Sequence, residues 1–470
     1  MSAAPALRCW LSSRDSGARL APQPGVYWRH GQAAAGPVVF VDPARGMQTL
    51  LGFGGAFSEA AALTWQQLPP ALADELLRAY FDAAQGHGYS LCRVPMGSSD
   101  FGLGNYAHAE QAGDFALASF SIERDRRHIL PFIHAAQRVV ARAAGRPLQL
   151  LASPWSPPAW MKTNGAMNMG GQLRPDCRTA WAQCYVKFIQ AYAAQGVPIW
   201  GVSVQNEPQA AQRWDSCLYS AEEERDFVRD HLGPALHAAG LAQVKIVVHD
   251  HNRDTLPQRA ATIYADAEAA RFVWGAGFHW YAGDHFDQVQ RLHDAFPSKH
   301  LLFTEGCQEG GPQHGDWALA ERYARSIIQD LNHWTVGWID WNLLLDDEGG
   351  PNHVGNYCSA PVLAGAGGSA LHWQSSFAAL GHFARHLQPG AQRVLCSATH
   401  EALECTAAVN PDGSLAVVVL NRSDAALHFS LQVGACSAAL QLPAHALLTV
   451  QTVQPMQPMQ TVQTVQTEVA

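Results

Sequence analysis

Two glutamates follow short apolar runs: Glu207 stands in Gln205-Asn-Glu-Pro208 after Ile199-Trp-Gly-Val-Ser-Val204, and Glu305 directly follows Leu301-Leu-Phe-Thr304. If both runs are strands of one sheet, the carboxyl groups meet at its end. A facing pair is what cleavage of a glycosidic bond requires, since one group donates a proton and the other attacks. In the retaining version the pair stands about 5 Å apart, with the nucleophile ionised and the acid kept protonated by its surroundings. This assigns Glu207 as acid/base and Glu305 as nucleophile. Either alone would serve equally as a helix cap or half of an ion pair, so the neighbours matter. Asn206 offers an amide to a sugar 2-hydroxyl, and Tyr281 a phenol to hold the Glu305 carboxylate.

Trp155, Trp280 beside His279, and Trp341 after Asp340 fall at the ends of similar runs. Flat amphipathic rings suit sugar faces, so these three are expected to wall a pocket. Asp100 is placed to chelate two adjacent hydroxyls, and Arg93 to support the carboxylates from below. Asn356 ends the stretch Glu348-Gly-Gly-Pro-Asn-His-Val-Gly-Asn356, whose glycines suggest a shaped lid. Two rival chemistries have weaker signatures. His249-Asp-His251 with His279 has the spacing of metal ligands, but a chain with 22 His produces such clusters by chance. Gly102-Leu-Gly-Asn-Tyr-Ala107 is formally G-x-G-x-x-A, yet no apolar strand immediately precedes it. No metal or organic cofactor is expected.

Residues so far apart in sequence need a common frame. From about residue 48 to 387, β-like runs alternate with helical stretches, the pattern of a parallel sheet with right-handed crossovers. Eight runs end near Gly52, Arg93, Ser153, Gln205, His249, Phe278, Thr304 and Asp340, which predicts an α/β fold, a closed (β/α)₈ TIM barrel. Trp181, Tyr185, Phe188 and Tyr192 share one helical face, as do Val228, Leu232 and Leu236. Ser220 and Glu223 have capping-box spacing, leaving a long loop from Asn206 to Tyr219 before that helix. Beyond the barrel the chain turns all-β, as in Ala416-Val-Val-Val-Leu420 after Asn410-Pro-Asp-Gly413. Residues 1–47 are also strand-like and are expected to join 388–450 in one accessory β-sandwich formed by both termini around the barrel, 48–387. Residues 451–470 repeat Gln-Thr-Val and Gln-Pro-Met, a low-complexity tail expected to be disordered.

Composition narrows the partners. Of 470 residues 48% are hydrophobic and 15% charged, which fits a packed globular chain. The net charge is −9 with no Lys/Arg block, which argues against nucleic acid and anionic membrane surfaces. No apolar run in the first 20 residues resembles a secretory signal or membrane anchor, and ten Cys are scattered without a CxxC pair. Reduced thiols and a cytoplasmic location are expected.

Read in order, Gly52-Phe-Gly-Gly-Ala56, Arg93-Val-Pro-Met96, Ala152-Ser-Pro-Trp-Ser-Pro-Pro-Ala-Trp160, Lys162-Thr-Asn-Gly165, Asn206-Glu-Pro208, His279-Trp-Tyr281, Asp340-Trp-Asn342 and Glu348-Gly-Gly-Pro-Asn352 resemble glycoside hydrolase family 30, its glucosylceramidases above all. The resemblance continues through Pro411-Asp-Gly413 and Val417-Val-Val-Leu-Asn-Arg-Ser423. It implies a retaining exo-acting β-glucosidase without cofactor, acting on glucosylceramide or a related β-glucoside. Acid/base Glu207 and nucleophile Glu305 match, with a glucose site of Asp100, Trp155, Asn206, Trp341 and Asn356, and with His279 and Tyr281 near the nucleophile. Phe303-Thr-Glu-Gly-Cys307 departs from the family, where Ser and Ala commonly flank the Glu, and the Gly- and Gln-rich loop after it is divergent. Related barrels that differ in such loops are β-xylosidases, β-1,6-glucanases and xylanases. A noncatalytic sugar-binding protein is a further alternative.

Overall fold

The computed structural model describes residues 6–30, 36–143 and 145–452. Eight parallel strands close into a barrel: Gly52–Ala56, Leu91–Pro95, Gln149–Ser153, Ile199–Ser203, Lys245–Asn252, Val273–His279, His300–Glu305 and Thr335–Asn342, the last pairing with the first. Gly52 opens the first strand, rather than ending it as the sequence suggested. Gly52-Phe-Gly-Gly-Ala56 lacks the β-branched residues that mark a strand. Its glycines serve close packing: a Cβ on Gly54 would lie 1.7 Å from the Leu91 carbonyl oxygen.

Inside the barrel, Leu91, Leu151, Val247, Leu302 and Ile339 form a buried apolar plug. Side chains alternate along a strand, so the next inward position is two residues further on. On strands two, three and seven that step leads from Leu91 to Arg93, Leu151 to Ser153 and Leu302 to Thr304, and strand four supplies Ser203 at the same level, all buried. The plug thus carries a polar layer at the carboxyl ends of the strands, which is the floor of the site.

Around the strands, helix Arg178–Ala194 buries Trp181, Tyr185, Phe188 and Tyr192 on the expected face. Helix Ala221–Phe227 starts with the Ser220–Glu223 capping box and runs on through a π-turn to Ala238, burying Val228, Leu232 and Leu236. The cap stops this helix from extending back into the loop that carries Glu207.

Both ends of the chain build one ten-stranded sheet with its own apolar core. Ala6–Ser13 pairs with Ala446–Thr452, and Val38–Thr49 lies between Gln392–Ala398 and Leu427–Val433. Two boundaries move: Val38–Thr49 crosses the position expected between 47 and 48, and the final strand takes up Gln451 and Thr452, which the sequence assigned to the tail. The rest of that tail, 453–470, lies outside the described residues. The last barrel helix, Ser375–Ala384, joins sheet to barrel: buried His382 meets Thr449 Oγ1 at 2.7 Å and Ser12 Oγ at 2.8 Å. Among the described residues no helix is long and apolar enough to cross a membrane.

Candidate active site

Arg93 is fully buried in the polar layer, and its guanidinium organises the floor. Nε donates to Ser153 Oγ at 2.9 Å, Nη1 to Glu305 Oε2 at 2.7 Å, and Nη2 to Asn206 Oδ1 at 2.9 Å and Asp250 Oδ2 at 2.7 Å. Asp250 Oδ1 in turn accepts from Thr304 Oγ1 at 2.6 Å and His279 Nε2 at 3.1 Å. The other imidazole nitrogen, Nδ1, reaches Glu207 Oε1 at 3.2 Å. One cation thus ties strand two to strands three, four, five and seven. Strand ends four and five bend sharply to present these groups: Glu207, His249 and Asp250 have φ of 47°, 72° and 45°, a left-handed conformation that costs energy in non-glycine residues and clusters at functional sites.

The Glu207 and Glu305 carboxylates and the His279 ring lie within 4.8 Å of one another. Tyr281 Oη donates to Glu305 Oε1 at 3.0 Å. Burial lowers the affinity of His279 for a proton, but the charge of Glu305 and the hydrogen bonds to Asp250 and Glu207 outweigh it, and its pKa rises to about 9. His279 is therefore an imidazolium at neutral pH, donating from both nitrogens. Burial also pushes Glu207 up, yet the hydrogen bond and charge of His279 prevail and bring it below the usual range. Glu305 ends above its usual range, because burial exceeds the pull of His279 and Arg93 and the charge of Glu207 adds to it. The expectation that the surroundings keep Glu207 protonated is thus corrected: in the free site the imidazolium draws Glu207 toward its anion. Two carboxylates this close titrate as a coupled pair, and their neighbours bias which of them holds a proton more readily.

Above the floor opens a cavity of about 200 Å³, lined by Asp100, Trp155, Asn206, Glu207, Tyr281, Glu305, Trp341 and Asn356 among others. Trp155 and Trp341 stack at 4.9 Å, with the Arg93 guanidinium 4.8 Å from the Trp155 ring. Asp100 accepts the Asn352 and Asn356 side-chain amides on one oxygen, at 3.1 and 3.0 Å, and burial raises its pKa to about 7. Two expectations change. Trp280 does not wall the cavity, because alternation turns it outward between His279 and Tyr281, to pack on Phe303, Tyr323 and Trp338. His279, expected among the sugar-binding residues, lies under the cavity with both nitrogens engaged.

The His249, His251 and His279 set does not gather: His249 Nε2 bonds the Asn252 carbonyl, His251 lines the cavity wall, and among the described residues the trio at metal-ligand spacing is instead Glu207, His279 and Glu305. The sequence reading missed Asp250 as the link between Arg93 and His279, although it lay inside the metal motif. It also missed Asn352, which lay inside a quoted motif, and the outer wall of Gln212, Trp214, His251 and Glu309. Gln212 and Trp214 sit in the loop after strand four, which has no periodic signal, whereas His251 and Glu309 lie at the ends of short strand segments.

A closed barrel whose fourth and seventh strands deliver paired carboxylates to one small cavity defines a class, the glycoside hydrolases. Comparison with known proteins gives the family. The Glycosyl hydrolase family 30 TIM-barrel domain matches residues 50–387 and the family 30 beta sandwich domain residues 390–450, so the chain belongs to glycosyl hydrolase family 30, whose members retain configuration. It is similar to the lysosomal acid glucosylceramidase of Mus musculus, 38% identical over 410 residues that cover 83% of this chain and 78% of that protein. Among solved structures, SrfJ from Salmonella typhimurium is 38% identical with a TM-score of 0.90, covering 95% of this chain and 99% of its own. An endo-β1,6-glucanase is 28% identical with a TM-score of 0.85, over 95% and 99% of the two chains.

Proposed function

We propose that the protein is an exo-acting β-glucosidase that removes a terminal β-glucosyl residue from glucosylceramide or a related β-glucoside, with Glu305 as nucleophile and Glu207 as acid/base. The observation that carries this reading is the placement of the two carboxylates, with oxygens within 4.8 Å, at the floor of a cavity sized for one sugar ring. An inverting pair would stand about 6.5–9.5 Å apart to admit a water.

In the first step the Glu305 carboxylate attacks the anomeric carbon while Glu207 gives its proton to the departing oxygen, leaving a glucosyl ester on Glu305 and a free alcohol. In the second, Glu207 takes a proton from water as the water oxygen attacks the same carbon, and Glu305 leaves as carboxylate. The reactive form carries the proton on Glu207 and the charge on Glu305. Arg93 and Tyr281, both donating to Glu305, favour that form, and a bound glycosidic oxygen accepting from Glu207 tips the balance against His279. Trp155 and Trp341 form the apolar wall, and Asp100, Asn206 and Asn356 supply the polar groups for sugar hydroxyls. The similarity to glucosylceramidases favours a lipid aglycone. A cytoplasmic location belongs to the same proposal, on the ground that the ten cysteines are scattered singly along the sequence without a CxxC pair.

Likeness to an endo-β1,6-glucanase favours a second reading, attack within a glucan. Initial rates on nitrophenyl β-glucoside, β-xyloside and β-galactoside separate the two, with Glu305→Gln as the blank. Preferential β-glucoside turnover, lost in the variant by on the order of a thousandfold or more, is the expected result. Turnover of internal bonds in β1,6-glucan with none of the monosaccharide glycosides would replace the exo reading.

A further inference from the structure

Cys307 and Cys358 have no task in the reaction above, yet both are buried in the cavity wall, at 4% and 2% exposure. Cys307 lies two residues beyond Glu305, and Cys358 two beyond Asn356. A short antiparallel ladder joins their segments, with Gln308 opposite Ser359 and Glu309 opposite Cys358. Opposed residues, and residues two apart on one strand, point to the same face, so Cys307 and Cys358 are diagonal neighbours on one side of this ladder. Both belong to the apolar cluster that includes Trp155 and Trp341. The Cys307 sulfur is 3.5 Å from Tyr281 Oη, the group that donates to Glu305, and the Cys358 thiol donates to the Asn356 carbonyl at 3.8 Å.

We propose that Cys307 and Cys358 are a reversible disulfide site inside the catalytic cavity, through which a small organic disulfide turns the enzyme off. One cysteine, as its thiolate, attacks a sulfur of the oxidant R–S–S–R. A protein mixed disulfide forms, and RS⁻ leaves and takes up the proton that the thiol lost. The second cysteine attacks the protein-bound sulfur, closing the Cys307–Cys358 bond and releasing a second RSH. Two protein thiols are oxidised and one R–S–S–R is reduced to two RSH. The bond removes the thiol that meets Tyr281 and ties the segment after Glu305 to the segment of Asn356, so it disturbs the support of Glu305 and that of Asp100 together. The neighbouring Cys358 thiol and burial hold the Cys307 thiol well above its ordinary range, which favours its neutral form.

The test treats the full chain with cystamine, follows β-glucoside turnover, and maps disulfides by mass spectrometry of non-reduced digests. Cys396 and Cys405, with sulfurs 3.3 Å apart in the sandwich, form an internal comparison. The expected result is a linked 307–358 peptide that accumulates in step with a loss of turnover of at least about tenfold, is slowed by glucose, and is reversed by dithiothreitol. Cys358→Ala and Cys307→Ser should each abolish the linked peptide and the dithiothreitol-reversible loss, judged against each variant's own untreated rate, whereas Cys405→Ala should not. A 307–358 link at full occupancy with unchanged turnover would overturn the proposal, as would linkage at 396–405 alone. The activity readout rests on the β-glucosidase reading but the peptide map does not: untreated protein without turnover defeats that reading, and absence of the link defeats this one.

Discussion

Glu207 and Glu305 are the same residue type at matching strand ends, and what separates them is the company each keeps. Arg93 and Tyr281 donate to Glu305, while His279 donates to Glu207. On the proposed roles, replacing Glu207 by Ala removes the proton donor but leaves the nucleophile. Substrates with good leaving groups should therefore still glucosylate the protein, and azide should restore turnover as the β-glucosyl azide, read by NMR of the product. An unchanged alkaline limb in the pH profile of Glu207→Ala would contradict its role. The pH profile also reports on His279, whose positive charge stabilises both carboxylates. Its removal in His279→Gln makes them harder to ionise, so both limbs of the profile should move to higher pH. A profile that only lost height would mean that His279 acts through packing alone.

At the scale of elements, the loop after strand eight does work that its glycines alone do not explain. Asn352 Oδ1 accepts the Val354 and Asn356 backbone amides at 3.1 and 2.9 Å, folding the loop so that two side-chain amides converge on Asp100. Those amides hold the Asp100 pKa down against burial, which leaves it at about 7. Removing one in Asn352→Ala should raise it further. If sugar hydroxyls bind to the ionised form, KM at neutral pH should rise several-fold and its acid limb move upward, with kcat less affected. The measurement is KM and kcat across the neutral range in both proteins. The elements themselves were legible to different degrees. Alternation and helical spacing mark most strands and the buried face of Arg178–Ala194, whereas the glycine-rich first strand carries no β-branched signal and the sequence places it too early, ending at Gly52 where the strand begins. Trp280 shows the same limit: its position at a strand end was readable, but which way it faces follows from the register of the strand in the closed barrel.

For the molecule as a whole, the seam between barrel and sandwich carries three buried histidines, His87, His382 and His386. Burial is the main cause that lowers all three, to about 3 for His87, about 4 for His386, and well below the ordinary value for His382. In the unfolded chain they take up protons below about 6.5, while the folded seam refuses them until these lower values. The stability they confer is therefore complete above pH 6.5 and lost as pH falls through the window toward 4 and 3. His386→Gln should flatten the dependence of Tm on pH in that window, as measured by thermal unfolding from pH 7 down to about 4. An identical slope in the variant would locate the acid sensitivity elsewhere.

The sequence by itself determined the barrel, the two-ended sandwich, the family resemblance and the identity of the two glutamates. These rest on local patterns, namely alternation, helical period and motifs read along one stretch of chain. Only the tertiary structure decided that Arg93 and Asp250 join strands two to seven in one charged floor, that His279 lies beneath the cavity between Asp250 and Glu207, and that Cys307 and Cys358 share the cavity wall. Each of these depends on distances between segments far apart in sequence, and on burial that turns neighbouring charges into shifted proton affinities. Such quantities exist only once the barrel has closed.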